Sequence, residues 1–238
     1  MPCSPPPPSL LDTFKDWQGL AAGLLAIVAA WIGGSFVHNQ TKAALRAATA
    51  SERREKERLD RQHAGARAVL PLGLSAIADY AQACAESLKP LRAACGSGRL
   101  PPAMAVAYIP PELDPALIKT LRDVIETAPS GIADSLARLI SDIQIYAARL
   151  RGIRDQSSKN LSYMVLRVNV DSLCGVAGVI YARVSDLFPY ARLSTEEPPE
   201  IFPSGARIFE SLRLLGIDED QDQDVFTAAS ATAEFQRI

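Results

Sequence analysis

The sequence predicts an all-α protein with one N-terminal transmembrane helix, a helical stalk and a cytoplasmic helical bundle, and three observations predict it. Trp17 to Val37 carries no charged side chain, over the roughly 20 residues that a helix needs to cross a bilayer. Aromatic residues make up only 6% of the chain, and runs of β-branched residues between turn signals are few, which disfavours strands. Past Arg67 the apolar residues recur in steps of three and four, the period of a helix with one buried face.

Residues 1–16 form a short segment with prolines at positions 5 to 8, which suits an extended polyproline-type spacer. The span at 17–37 has Gln18 and Ser35 as its only clearly polar side chains, both near the ends. A core helix of a globular domain would show a polar stripe at helical spacing. Trp17 fits a membrane interface, whereas Trp31 lies about a turn and a half inside the span, so an earlier end near Trp31 is the alternative. A cleaved signal peptide would place a shorter apolar region after a basic segment. Here residues 1–16 hold one Lys against two Asp, so an uncleaved anchor is expected; the Ala-rich run 43–50 is where cleavage would otherwise fall.

Lys42, Arg46, Arg53, Arg54, Lys56, Arg58 and Arg61 follow the span, and only Lys15 precedes it. Basic residues beside a span stay on the cytoplasmic side. The expected topology is therefore N-terminus outside and C-terminal domain inside. Within the span, Gly19, Gly23, Ala26, Ala30 and Gly34 put small residues at helical spacing. They form a candidate transmembrane association face through which a homodimer would pack.

Residues 38–67 read as a charged helical stalk, rich in Ala, Arg, Glu and Lys and without proline. Leu45 and Leu59 stand two heptads apart, but Glu52 lies between them and interrupts a coiled-coil seam. Glu52, Glu55, Glu57 and Asp60 interleave with the basic residues. Ion pairs at helical spacing are thus favoured over headgroup binding.

The bundle domain occupies 68–238. Its first helix carries the seam Leu70, Leu74, Ile77, Ala81, Cys84, Leu88, Leu91 and Cys95, with a kink or restart expected at Pro71 and uncertain final turns after Pro90. Gly96 to Pro111 reads as a loop. A short helix follows on Leu113, Leu117, Leu121, Val124 and Ala128, with Asp114 near its start. The next has the seam Ile132, Leu136, Leu139, Ile143, Tyr146, Leu150 and Ile153, and the two should pair as a hairpin. A long helix is expected over 159–190, with Leu166, Val170, Leu173, Ala177, Ile180, Val184 and Leu187 on its seam and Val165, Val168, Val176 and Val179 widening it. Its ten-residue apolar stretch 173–182 is too short for a second span. Gly175 and Gly178 mark close helix approach there, since no phosphate-loop context surrounds them. Arg207 to Leu215 form a short helix stopped by Gly216, and a last helix follows Asp224, which is expected to cap it.

The formal net charge of −2 supplies no overall basic field, so no nucleic-acid partner is expected. Cys3, Cys84, Cys95 and Cys174 show no C-x-x-C pairing, which argues against metal or cofactor binding. The last three fall at apolar positions and read as buried free thiols. The acidic run Asp218 to Asp224 fails as a calcium loop, because Gln223 or Val225 stands where glycine is required and Ala where the twelfth ligand belongs. His38 sits at the membrane edge and His63 in the stalk, leaving no histidine in the bundle for a nucleophile–base pairing and no catalytic residue to name. Asp142 and Asp171 lie within apolar helices and are the remaining carboxylate pair, each better explained by an exposed helical face.

Lys15-Asp-Trp-Gln-Gly-Leu-Ala-Ala-Gly-Leu-Leu-Ala and Ala66-Arg-Ala-Val-Leu-Pro-Leu-Gly-Leu-Ser resemble segments of an uncharacterised group of proteobacterial single-pass membrane proteins. The resemblance covers mainly the first third of the chain and implies a bacterial inner-membrane setting; it brings no activity and no catalytic residues. The expected partners are the lipid bilayer, a second copy through the span, and an unknown protein. The expected role is a membrane-tethered interaction or scaffold module. The alternatives are an accessory or sensing subunit of a membrane complex and an enzyme without a recognisable motif.

Overall fold

A computed structural model describes residues 10–96, 98–159, 164–200 and 202–235. Side-chain surroundings are described for 22–31, 34, 38 and, apart from 39, for the described residues from 40 to 231. The chain is all-α, with helices α1 (Leu10–Cys95), α2 (Pro102–Ala107), α3 (Pro115–Ile125), α4 (Ser130–Lys159), α5 (Arg167–Ala191), α6 (Gly205–Leu214) and α7 (Gln223–Phe235). No strand occurs among the described residues; one isolated bridge joins Arg99 to Leu166. The chain forms two compact units, Met1–Arg58 and Leu59–Ile238, and α1 contributes to both.

In the second unit every residue of the predicted α1 seam is buried, from Leu70 at 0% exposure to Cys95 at 5%. The α4 seam is buried as completely, from Ile132 to Ile153. α5 packs on α4, α6 and α7, while α2 and α3 rest on α4. Asp114 caps α3 as its position suggested, its carboxylate accepting from the Ala116 backbone N–H at 2.8 Å. Gly175 and Gly178 are where α5 meets its neighbours: a Cβ at 175 would lie 3.0 Å from Ala229 backbone atoms of α7, and one at 178 would lie 2.5 Å from Leu212 of α6.

Several expectations change. α1 is assigned as one helix through Pro71 and Pro90, without a restart. Each proline removes one internal hydrogen bond; long runs of helix flank Pro71, while only Leu91 to Cys95 follow Pro90, with Leu91 and Cys95 buried in the core. With no break at Pro90, Cys84 and Cys95 stand about 16 Å apart at 1.5 Å per residue, beyond disulfide reach. The segment after Gly96 contains α2, opened by Pro102 at a position where a missing N–H costs nothing. The long helix expected over 159–190 is divided: α4 continues to Lys159 and α5 begins only at Arg167. Leu166, just before α5, is 45% exposed, and Val168 in its first turn is 61% exposed. Asp224 lies inside the first turn of α7, so it favours the helix through the dipole, and Asp222 is the residue just before it.

Two helices end in the same way. After α6 the N–H groups of Ile217 and Gly216 donate to Leu212 and Arg213 carbonyls, with Gly216 at φ +70°. After α5 those of Ser194 and Leu193 donate to Pro189 and Tyr190, with Leu193 at φ +61°. This is the Schellman arrangement, in which glycine normally takes the left-handed residue. Leucine in that conformation carries strain of about 1–2 kcal/mol.

Candidate functional site

One α-helical stretch of the described residues, Gln40–Cys95, is long and apolar enough to cross a membrane by length and composition. In its most apolar window 44% is buried within the structure, as in the core helix of a globular domain. The apolar stretch Ala22–Trp31 of α1 behaves differently. Leu24, Leu25, Ile27 and Trp31 are 66% to 76% exposed there. At about 100° per residue these large side chains and Val28 cover one side of the helix, while Gly19, Gly23, Ala26, Ala30 and Gly34 fall on a face about 80° wide on the other. Ala26 and Ala30 are exposed, and a Cβ at Gly23 or Gly34 would meet nothing within 4 Å. The side chains at 17–21, 32, 33 and 35–37, and the environment of Gly19, lie outside the described set.

A polar cluster joins α1 to the C-terminal end of α5 and to the turn after α3. His63, read from sequence as a stalk residue, has Nε2 at 2.8 Å from the Tyr190 hydroxyl and Nδ1 at 3.1 Å from Thr127 Oγ1. Thr127 Oγ1 also donates to the Val124 carbonyl, which leaves its oxygen to accept from the imidazole Nδ1–H. One turn on, Arg67 lies 3.9 Å above the Tyr190 ring centroid. Its Nε donates to the Tyr190 carbonyl at 2.9 Å, its Nη2 to the Thr195 carbonyl, and its Nη1 to both Glu196 carboxylate oxygens at 2.7 and 2.8 Å. A buried guanidinium thereby binds one carbonyl in the last turn of α5, that of Tyr190, and one in the segment beyond it, and meets the negative end of the helix dipole. Burial raises the Tyr190 hydroxyl pKa, Arg67 opposes the rise, and Glu196 adds to it. The imidazole joins two hydroxyls and has no orienting carboxylate among the described residues. This geometry is a clamp between helices rather than an acid–base centre.

Asp142 and Asp171 are not brought together, and neither lies on a solvated face. Asp142 on α4 pairs with Arg183 on α5 at 3.0 Å, and burial raises its pKa against the pull of Arg183 and Arg138. Asp171 is 3% exposed, paired with Arg92 at 2.5 Å and Arg167 at 3.5 Å. Arg92 also binds Asp222, tying α1 and α5 to the turn before α7. Ionised carboxylates buried in this way need such partners.

Cys84, Cys95 and Cys174 are buried free thiols. Burial pushes the Cys84 and Cys174 thiols up to about 12, which leaves them unreactive near neutrality. The acidic turn is closed by its own groups: Asp218 Oδ1 accepts from the Asp220 N–H and Asp222 Oδ2 from the Asp218 N–H, while Arg213 pairs with Glu219.

His63, Arg67, Arg92, Arg183 and Tyr190 were not singled out as site residues from sequence. One signal could have found two of them: extending the α1 seam back from Leu70 in steps of three and four lands on Arg67 and His63. The chain matches no protein-family model, no curated protein and no solved structure.

Proposed function

We propose that this protein is a membrane-tethered interaction module: the Trp17 to Val37 stretch of α1 crosses a bacterial inner membrane, and the bundle binds another protein on the cytoplasmic side. The exposure of Leu24, Leu25, Ile27 and Trp31 carries this reading. Burying each such side chain is worth about 1.5–3 kcal/mol, and lipid is an environment that accepts apolar groups around the whole helix. The ten residues of Ala22–Trp31 would rise only about 15 Å, whereas the uncharged 17–37 stretch rises about 31 Å, the thickness of the hydrocarbon core. Seven basic residues between 38 and 61 support the inward orientation. The narrow face of Gly19, Gly23, Ala26, Ala30 and Gly34 suits a second copy of the helix or the span of a larger complex. The resemblance to proteobacterial single-pass proteins supports the same setting.

The tests are extraction, topology and partner capture. The chain should resist alkaline carbonate and keep its N-terminus, and a fluorescent protein fused after Ile238 should shine while a periplasm-dependent phosphatase stays inactive. Detergent-solubilised membranes should yield recurrent partners with the full chain. A chain starting between Ala43 and Ser51 would show a cleaved signal instead, and the absence of recurrent partners would remove the interaction reading.

A further inference from the structure

A cavity of about 170 Å³ opens where the last turns of α1, the first turns of α5 and the turn between α6 and α7 meet. Its charged lining is Lys89, Arg92, Arg167 and Asp222, beside Cys174 and Gly216. Lys89 and Arg92 stand three residues apart, on one face of α1. Arg167 and Cys174 stand seven apart, two turns along one face of α5. Three cations therefore share the wall with one carboxylate. Counting Asp171, whose carboxylate meets both arginines, three positive charges stand against two negative.

The acceptors here are already engaged. Asp222 Oδ1 accepts from Arg92 and its Oδ2 from the Asp218 N–H, and Asp171 Oδ1 accepts from Arg92 Nε at 2.5 Å. Several donors are not. Arg92 Nη2 is buried with no hydrogen-bond partner among the described residues. Arg167 donates through Nη1 to the Gly96 carbonyl at 2.8 Å, but its buried Nε has no hydrogen bond and stands 3.5 Å from Asp171 Oδ2. A buried donor on a charged group without an acceptor keeps the full cost of its lost hydration. Arg92 by itself accounts for the tie between α1, α5 and the turn before α7, and that tie does not call for Lys89 and Arg167 on the same wall.

Lys89 is exposed and forms no ion pair among the described residues. The fold nevertheless places its amine: a Cβ built on Gly216 would lie 2.9 Å from Lys89 Nζ, so the left-handed glycine that ends α6 also makes room for the ammonium group. Lys89 and Arg92 both pull the Cys174 thiol pKa down, against burial and Asp171. Both charges are thus felt at the α5 wall.

We propose that this cavity binds a phosphate group, free or at the end of a small molecule. Excess positive charge and donors short of acceptors select an anion, and a phosphate brings several acceptor oxygens at once. Arginine meets such an oxyanion through its planar fork and lysine as a point charge. Cavities for drug-sized ligands run from about 300 to 1,000 Å³; this one is smaller, so it encloses the oxyanion and leaves the rest of a larger ligand outside. The site stands independently of the membrane anchor and of any protein that the bundle binds.

The test titrates the full chain in an uncharged detergent, by calorimetry near neutral pH, with inorganic phosphate, with glycerol phosphate and, at matched ionic strength, with chloride. Phosphate should bind saturably and raise the melting temperature, and chloride should do neither. Lys89→Ala, at an exposed position outside any described ion pair, should weaken phosphate binding by about tenfold, the scale of one charge-assisted hydrogen bond. The melting temperature without phosphate should hold in this variant, and Lys89→Arg should bind as the unaltered chain does. Arg167→Gln should weaken binding similarly and decides the matter if Lys89→Ala fails to fold. Tighter binding of glycerol phosphate than of inorganic phosphate supports the site and assigns it to a monoester; the reverse order supports it and assigns it to the free ion. No saturable phosphate binding, an equal response to chloride, or binding indifferent to both Lys89→Ala and Arg167→Gln overturns the proposal.

Discussion

The Ala22–Trp31 stretch of α1 and helix α5 are made of similar residues, small and aliphatic with interspersed glycine, and they live in opposite surroundings. In α5 the side chains of Val170, Ala177, Ile180 and Val184 are fully buried, and two glycines are pressed against α6 and α7. In the other stretch Leu24, Leu25 and Ile27 are about two-thirds exposed or more, and Gly23 faces open space. Composition alone therefore does not separate a buried apolar helix from an exposed one. What separates them is whether charged groups at helical spacing bring partners: α5 carries Asp171, Arg183 and Asp186, each in an ion pair, whereas 17–37 carries no charge.

The largest effect expected from this contrast comes from placing one charge in each region. Ile180→Asp should destabilise the bundle by about 4 kcal/mol, the scale of an unpaired buried charge, measured as a fall in the urea midpoint of the Leu59–Ile238 unit. Ile27→Asp should leave that stability unchanged in the full chain and impair membrane insertion, at a cost of about 2.5–3.5 kcal/mol near a span centre. Equal sensitivity of bundle stability to both variants would erase the distinction between the regions.

Alkaline pH should also divide the two regions. Burial pushes Cys84, Cys174 and Tyr108 up to about 12 and raises Tyr80 and Tyr146 as well. Between the unfolded and folded values of these acids the unfolded chain has released protons that the folded chain retains, so stability falls as pH rises. Their contribution is whole below about pH 8.5, where unfolded thiols begin to ionise, and is lost progressively toward pH 12. The urea midpoint of the bundle should drop between pH 8.5 and 10.5, whereas membrane partition of the full chain should hold, because Ala22–Trp31 contains no titrating side chain. A flat midpoint across that range would mean that the thiols and phenols are not buried as described.

The all-α class and several helical seams are legible in the sequence, and the reasons are local. The seams of α1 and α4 are a one-dimensional pattern, and the Gly216 stop after α6 and the Asp114 cap of α3 use residues with strong local preferences. What escaped depends on distant parts of the chain. Asp142 looked like a solvated residue until Arg183 arrived from α5, and His63 looked like stalk until Tyr190 and Thr127 met it. Pro71 suggests a break when its own turn is weighed, while continuity comes from the residues before and after it. Of the candidate association face, Gly23, Ala26, Ala30 and Gly34 are open among the described residues, and the packing of a single chain carries no record of contacts between molecules.

A smaller effect tests the two matching helix ends. Leu193 holds the left-handed position that Gly216 holds after α6 and is 71% exposed, so its apolar body contributes little burial. Leu193→Gly should raise bundle stability by about 1 kcal/mol, by relieving a conformation that leucine adopts with strain. Gly216→Leu should act in the opposite direction. Calorimetry on both variants checks the pair, and a loss on Leu193→Gly would show that the leucine side chain holds the α5 terminus.

The account rests on Ala22–Trp31 facing lipid, and power-saturation electron paramagnetic resonance measures that most directly. Single nitroxide labels at Leu24, Ile27, Trp31, Leu45 and Leu59, on the full chain in liposomes with Cys3 replaced, report relative access to oxygen, which concentrates in lipid, and to a water-soluble nickel chelate. Labels at 24, 27 and 31 should favour oxygen, and those at 45 and 59, beside the charged residues of the stalk, should favour the chelate. Chelate access at 24, 27 and 31 equal to that at 45 would place the stretch in water and contradict the anchor.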